Sequence, residues 1–308
     1  MKPHRLRSLA LQAPTHPGGR PHLSAASGLV VLGDRWYVVG DDTLHLAVFR
    51  VAPDGGDEPG RLVRLFAGEL PGDAERRKAC KPDLETLFLA PAFHGAPHGA
   101  LVALASGSRA NRHRAAWLPL DEAGIPSGTA FEASLEALYA PLHARFPDLN
   151  IEGAFVDHGE LHLLQRAHAG SPENAIVRYD WAGVAAWLGR VAEAPRPRAI
   201  DVMALGDIDG VPLGFTDGKP WGDGDGSWVF SAVAEATDDS YRDGACRGSV
   251  VGVVDGAGRL QRLERLDGDW KVEGLDVARA ASGASQLMMV TDADDPYRPA
   301  EALMLPWD

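Results

Sequence analysis

The stretch Lys271-Val272-Glu273-Gly274-Leu275 sets a Glu-Gly pair between apolar residues, just after the turn Asp267-Gly268-Asp269 and just before a short extended run. Variants of the phrase recur as Asn150-Ile151-Glu152-Gly153-Ala154, Asp83-Leu84-Glu85-Thr86-Leu87 and Ala26-Ser27-Gly28-Leu29. The most degraded copy is Pro212-Leu213-Gly214-Phe215. Aligned on positions 27, 85, 152, 213 and 273, the steps are 58, 67, 61 and 60 residues, and running off the end and back to the start takes 62. A near-constant step that closes on itself across the termini is the mark of a circular array of repeats.

Around each phrase lie short apolar runs separated by Gly, Pro, Asp and Asn, the pattern of an all-β array. The first repeat offers Ser27 to Leu32, Arg35 to Val39, Leu44 to Val51 and Arg61 to Phe66, with a turn at Pro53-Asp54-Gly55-Gly56. Four strands per repeat is the count of a propeller blade. The reading is therefore an all-β, five-bladed β-propeller of four-stranded antiparallel blades, one domain over residues 1–308, with a six-bladed propeller as the alternative. The fifth repeat holds only three strands, Val272 to Val277, Gln286 to Thr291 and Ala302 to Leu305. The N-terminal run Arg5 to Leu11 is predicted to supply the fourth, which closes the ring and removes a free sheet edge. Two helical decorations are expected, at Leu135 to Phe146 and Trp181 to Ala192.

Composition narrows the function classes. At 308 residues, 45% hydrophobic and 24% charged, the chain can bury a sizeable core. Its net charge of −13 excludes a nucleic-acid backbone or an anionic membrane as partner, since both need a positive footprint. Cys80 and Cys246 lack metal-ligand spacing and read as free thiols of a reducing compartment. The N-terminal apolar run is too short for a signal-peptide core, and no run approaches a membrane span. A cytoplasmic monomer is the expectation, its partner a small molecule at the mouth of the central channel.

In a propeller the innermost strands line that channel, and the loops Asp41-Asp42-Thr43, 106–114, 166–174, 235–247 and 292–299 share one face. They are long and rich in Asp, Arg and His, and function usually lives on such loops. Glu85, Glu152 and Glu273 would converge there, with Ser27 and Leu213 completing the ring. Carboxylates at close range need a counter-charge. A Ca²⁺ or Mg²⁺ ion held by the three glutamates is one solution. Salt bridges are another, from Lys81, Lys271, Arg109 and Arg166; Arg109, Arg166, Lys271 and Asp41 are the candidate ligand-binding residues. The plainer alternative is that each Glu accepts hydrogen bonds from neighbouring blades while Gly permits close approach.

Other clusters carry less. Asp292-Ala293-Asp294-Asp295 and Asp41-Asp42 could hold a cation but also suit turns. The run Asp223-Gly224-Asp225-Gly226 resembles part of a calcium loop yet lacks the distal Glu. Ser106-Gly107-Ser108 is not a nucleophile elbow, and His113, His162 and His168 show no metal spacing.

With the Glu-Gly phrases, Ser106-Gly107-Ser108-Arg109 and Val272-Glu273-Gly274-Leu275-Asp276 in view, the chain resembles the phytase-like or esterase-like bacterial β-propellers. More distantly it is similar to the calcium-dependent propeller lactonases, in which a channel-facing Glu binds the metal. That resemblance implies Glu85, Glu152 or Glu273 as the ligand. It departs from them in its five-fold period and in lacking a recognisable His base or Asn ligand set. Three functions follow as expectations: a divalent-metal-assisted hydrolase of a small phosphoester, ester or lactone; a non-catalytic ligand- or protein-binding propeller; and a glycosidase-type enzyme working through paired carboxylates.

Overall fold

The computed structural model describes residues 1–50, 58–222, 224–238, 244–280 and 282–307. The expected turn at 53–56 lies outside them, as do Val51, Asp223 and part of the loop 235–247. Strand β1 (His4–Ser8) is followed by β2 (Ala26–Leu32), β3 (Arg35–Gly40), β4 (His45–Arg50) and β5 (Arg61–Arg64), the last four forming blade one. Blade two is β6 (Leu84–Ala90), β7 (Ala100–Ala105), β8 (Arg114–Pro119) and β9 (Phe131–Ser134). Blade three is β10 (Ile151–Asp157), β11 (Glu160–Gln165), β12 (Asn174–Asp180) and β13 (Ala199–Met203).

Blade four carries a two-residue extra strand, β14 (Asp207–Ile208), ahead of β15 (Val211–Pro220), β16 (Trp228–Ala236), β17 (Ala245–Val254) and β18 (Leu260–Arg265). Blade five is β19 (Lys271–Arg279), β20 (Ser285–Asp292) and β21 (Glu301–Pro306), completed by β1, which pairs antiparallel with β21 in the register His4 to Met304 and Ser8 to Glu301. The N-terminal strand thus supplies the missing edge, as its sequence predicts. The innermost strands β2, β6, β10, β15 and β19 pack each against the next, and β19 returns to β2. The molecule is a closed five-bladed β-propeller.

The core is distributed between blades. Alternating apolar residues on both faces of each sheet form five clusters, one per blade interface. Leu84, Leu87 and Leu101 meet Val30, Tyr37 and Val39 between blades one and two. Between blades two and three the cluster also takes in α2 (Glu136–His143) and α3 (Trp181–Leu188), the two expected helices, while a short α1 (Ala74–Cys80) was not anticipated. In α2, Leu138, Tyr139 and Leu142 are buried at helical spacing, and the Tyr139 hydroxyl donates to the Ala105 carbonyl at 3.0 Å. Among the described residues no helix is long and apolar enough to cross a membrane. Both cysteines are free thiols.

One detail of the innermost strands decides where the site forms. Each carries a single-residue bulge, at Ser27, Glu85, Glu152, Thr216 and Glu273, where the register with the second strand of the blade shifts. The bulge explains the Glu-Gly phrase. A Cβ on Gly28 would lie 2.7 Å from the Leu87 nitrogen, one on Gly153 3.0 Å from Asp217 Cα, and one on Gly274 3.1 Å from Gly28 Cα. In blades one, three and five the residue after the bulge therefore lies against the backbone of an adjacent blade, and a side chain there would crowd it. It also corrects the alignment of the fourth repeat: Leu213, buried in the core between blades three and four, is not its ring position; Thr216 is.

Candidate functional site at the channel mouth

Ser27, Glu85, Glu152 and Glu273 line a cavity of about 70 Å³ at one end of the channel, and every other residue around it is polar or charged. Thr216 does not reach it. Its hydroxyl lies 2.8 Å from both the Val272 carbonyl and Ser231 Oγ and stitches blade four to blade five. The elaborated loops do converge on this face, contributing Asp41, Arg112, Arg166, His168, Glu235 and Asp292 to the lining.

Arg166 organises one side. Its Nη1 lies 3.1 Å from Glu152 Oε2 and 3.4 Å from Glu273 Oε2, and its Nη2 lies 2.7 Å from Glu235 Oε2, so one buried guanidinium joins blades three, four and five. A planar fork suits such multiple carboxylate contacts. Lys271 shares two of these anions: its Nζ is 3.5 Å from Glu235 and 3.6 Å from Glu273, and it also lies 2.7 Å from Asp294 and 3.4 Å from Asp292. On the opposite side Lys81 holds Asp41, and Asp83 at 3.0 Å; Arg112 Nη1 binds Asp83 at 2.7 Å and Ser106 Oγ donates to Asp83 at 2.5 Å. The Ser-Gly-Ser run is therefore a brace for Asp83.

Burial dominates the acid–base behaviour. It pushes Glu152 up to about 7, with Glu273 adding repulsion and Arg166 opposing. Asp41 rises to about 7 and Asp292 to about 6, again chiefly through burial against their lysine partners. Asp83 is the exception: burial works upward, but Lys81 and Arg112 together hold it below its ordinary value.

Glu85 stands apart. Among the described residues its carboxyl has neither an ion pair nor a hydrogen bond, and what surface it keeps faces the cavity. Burial, then repulsion from Glu152, Asp83 and Asp41, raises its pKa well above the carboxylate range, with Lys81 only partly offsetting them. The shift favours the neutral acid, which can donate into the polar cavity.

The structure brings together Asp41, Glu85, Glu152, Arg166, Lys271 and Glu273 as the sequence predicts. Arg109 is exposed and does not line the cavity; Arg112, three residues on in the same loop, takes that place. Asp83, Asn150, Glu235 and His168 are lining residues that sequence reasoning did not assign, and Asp292, weighed there only as a cation or turn residue, joins them. Asp83 and Asn150 sit within the repeat phrases themselves, two residues before a ring glutamate, which is the signal that could have found them. Of the other clusters, Asp225 Oδ1 accepts from the Ser227 nitrogen at 2.8 Å as an ordinary turn former.

A ring of three glutamates around a divalent cation does not fit. Glu152 and Glu273 are bound to the Arg166 guanidinium, and Glu152 Oε1 also accepts from Asn150 Nδ2 at 2.5 Å. Among the described residues only Glu85 of the three lies in a set with metal-like spacing. Its companions are Asp41 and Asp83, with one oxygen of each within 4.8 Å of the others, and Lys81 already sits on both aspartates.

Beyond the mouth, contacts between the inner strands bridge the blades. Lys219 Nζ from blade four reaches the Leu87 carbonyl of blade two at 3.2 Å and both oxygens of Asp217 at 2.8 Å; Asp217 in turn accepts from the Leu275 nitrogen of blade five.

Two solved structures share the architecture. The bifunctional GH43-CE protein of Bacteroides eggerthii aligns with a TM-score of 0.51 at 11% identity over 100% of this chain and 34% of its own, so the chain spans about a third of that protein's length. The endo-arabinase of Bacteroides thetaiotaomicron VPI-5482 aligns with a TM-score of 0.50 at 12% identity, over 98% of each chain. At such identities the likeness is one of fold. No curated protein matches the sequence. A family model, described as a family of unknown function (DUF6929), matches residues 22–306 and so all five blades, and the chain belongs to that family.

Proposed function

We propose that the channel mouth is the reaction site of a hydrolase for a small uncharged substrate, an ester, a lactone or a glycoside, with Glu85 as proton donor. The observation that carries this reading is the contrast between Glu85, half-buried and without a partner among the described residues, and the other carboxylates of the lining, each held by Lys81, Arg112, Arg166 or Lys271. Pairs of carboxyl groups whose surroundings separate their protonation states are how acid and base roles are divided. Glu85 gives its proton to the leaving oxygen; Glu152, fixed by Arg166 and Asn150, is the ionisable partner that receives one from water.

Charge speaks to the substrate. Seven carboxyl groups line the cavity against five lysines and arginines, which disfavours the anionic phosphoester of the phytase-like resemblance and favours a neutral molecule. No metal-assisted step enters, because the three glutamates do not form a cation site. A panel of nitrophenyl esters, lactones and nitrophenyl glycosides tests the reading. One class is turned over, Glu85→Gln lowers kcat by about 10²–10⁴-fold with KM little changed, and activity falls on the alkaline side as Glu85 loses its proton. Unchanged turnover in Glu85→Gln would sink it.

The volume of about 70 Å³ favours a second reading. It is well below the roughly 300–1,000 Å³ of ordinary ligand pockets, as in a propeller that binds a small polar ligand without turnover. Thermal stabilisation by such a ligand, with no product formed, would distinguish it.

A further inference from the structure

We propose that Lys81 is a built-in replacement for a divalent cation: its ammonium fills the position that Asp41, Asp83 and Glu85 would otherwise offer to Ca²⁺ or Mg²⁺, which makes this propeller metal-independent. One oxygen from each of the three carboxyl groups lies within 4.8 Å of the others, the span that ligands about 2.4 Å from a common centre can cover. Within that set Lys81 Nζ contacts Asp41 and lies 3.0 Å from Asp83. Glu85 also acts on the Lys81 charge, so all three carboxyl groups bear on one ammonium.

The ammonium is held in place by its backbone. Lys81 caps α1, its N–H donating to the Arg77 carbonyl at 2.8 Å, and its own carbonyl accepts from Asn111 Nδ2 at 3.1 Å. The run Lys81-Pro82-Asp83-Leu84-Glu85 delivers the cation and two of its three anions from one segment, and Asp83 adopts a left-handed φ of 63° within it. Asp tolerates that region better than most residues. A free ion must be recruited from solution, whereas a tethered one is present whenever the chain is folded. Arg112, 2.7 Å from Asp83, adds a second fixed positive charge that a divalent ion would have to approach. The two fixed positive charges of Lys81 and Arg112 among three carboxyl groups leave one unbalanced, and Glu85 is the one without an ion pair among the described residues.

The inference stands whether or not the site turns over a substrate, because its test reads metal binding. CaCl₂ and MgCl₂ are titrated into the full chain and into Lys81→Met, following heat by calorimetry and unfolding by thermal melt. The wild type binds neither ion stoichiometrically and its Tm does not move. Lys81→Met takes up one Ca²⁺ per chain, and its Tm rises by roughly 5 °C or more at a hundredfold excess over Kd. Adding Glu85→Gln to Lys81→Met weakens that binding by about tenfold or more, since a charged ligand is lost. A Lys81→Met chain recovered folded only when expressed with Ca²⁺ counts for the proposal, and one unfolded in both conditions counts against it. Stoichiometric metal in the wild type, a folded Lys81→Met with no saturable Ca²⁺ binding, or a double variant that binds as tightly as Lys81→Met would each overturn it.

Discussion

At the scale of single residues, the site is a problem in compensation. Among the described residues Arg166 is the only cation that contacts Glu152, and it also holds Glu235 and Glu273. Arg166→Met leaves Glu152 without an ion pair and strips a contact from the other two, and is expected to cost about 3–5 kcal/mol. The cost should be smaller at pH 5 than at pH 8, because protonation relieves the carboxylates; urea melts at the two pH values check both. The same chemistry sets the pH dependence of the wild type. Glu152 and Asp41 at about 7 and Asp292 at about 6 all lie above the unfolded range near 4. The folded chain therefore holds more protons than the unfolded chain through that window. Their stabilisation is fully present below the unfolded pKa and is lost as pH rises through 6 to 7, by up to about 1.4 kcal/mol per pH unit for each proton. The depressed Asp83 contributes the other way, losing its stabilisation only as pH falls below the ordinary carboxylate range. The urea midpoint should fall between pH 5 and pH 7.5; a rise across that window would contradict these assignments.

At the scale of the element, the inner strand with its bulge is the unit that repeats, and it was legible because it demands unusual residues. Gly28, Gly153 and Gly274 are required by close approach to an adjacent blade, so the Gly marks the phrase and the Glu before it marks the mouth. Gly153→Ala, which would put a methyl group 3.0 Å from Asp217 Cα, is expected to destabilise by about 1–3 kcal/mol in a denaturant melt. The fourth blade was misread for a physical reason. Its bulge holds Thr216 followed by Asp217, a hydrogen-bonding pair in place of Glu-Gly, and the nearby Leu213-Gly214 imitates the phrase from three residues away. Arg112 was missed in favour of Arg109 because a 3-10 turn at Ala110–Arg112, invisible to strand periodicity, decides which arginine turns inward. Some partners lie close in sequence, as Lys81 does to Asp83 and Asn150 to Glu152, but the contacts of Arg166 with Glu235 and Glu273 join different blades, and no local pattern encodes such pairings.

At the scale of the whole molecule, ring closure makes the site, since Asp41, Glu85, Glu152, Glu235 and Glu273 come from five different blades. The seam is the pairing of β1 with β21, reinforced by Leu9, whose N–H donates to the Ala300 carbonyl at 2.9 Å. Deleting residues 1–10 bares the β21 edge and removes Leu9 from the core between blades five and one. A lower Tm together with concentration-dependent light scattering is the expected outcome. The protonation state of Glu85 reports on the closed ring directly, because its repulsion comes from Asp41, Asp83 and Glu152 on blades one, two and three. The infrared difference spectrum between wild type and Glu85→Gln at pH 7 isolates that one carboxyl. This account predicts that the wild type contributes the carbonyl band of a protonated acid, and a carboxylate band in its place would contradict it.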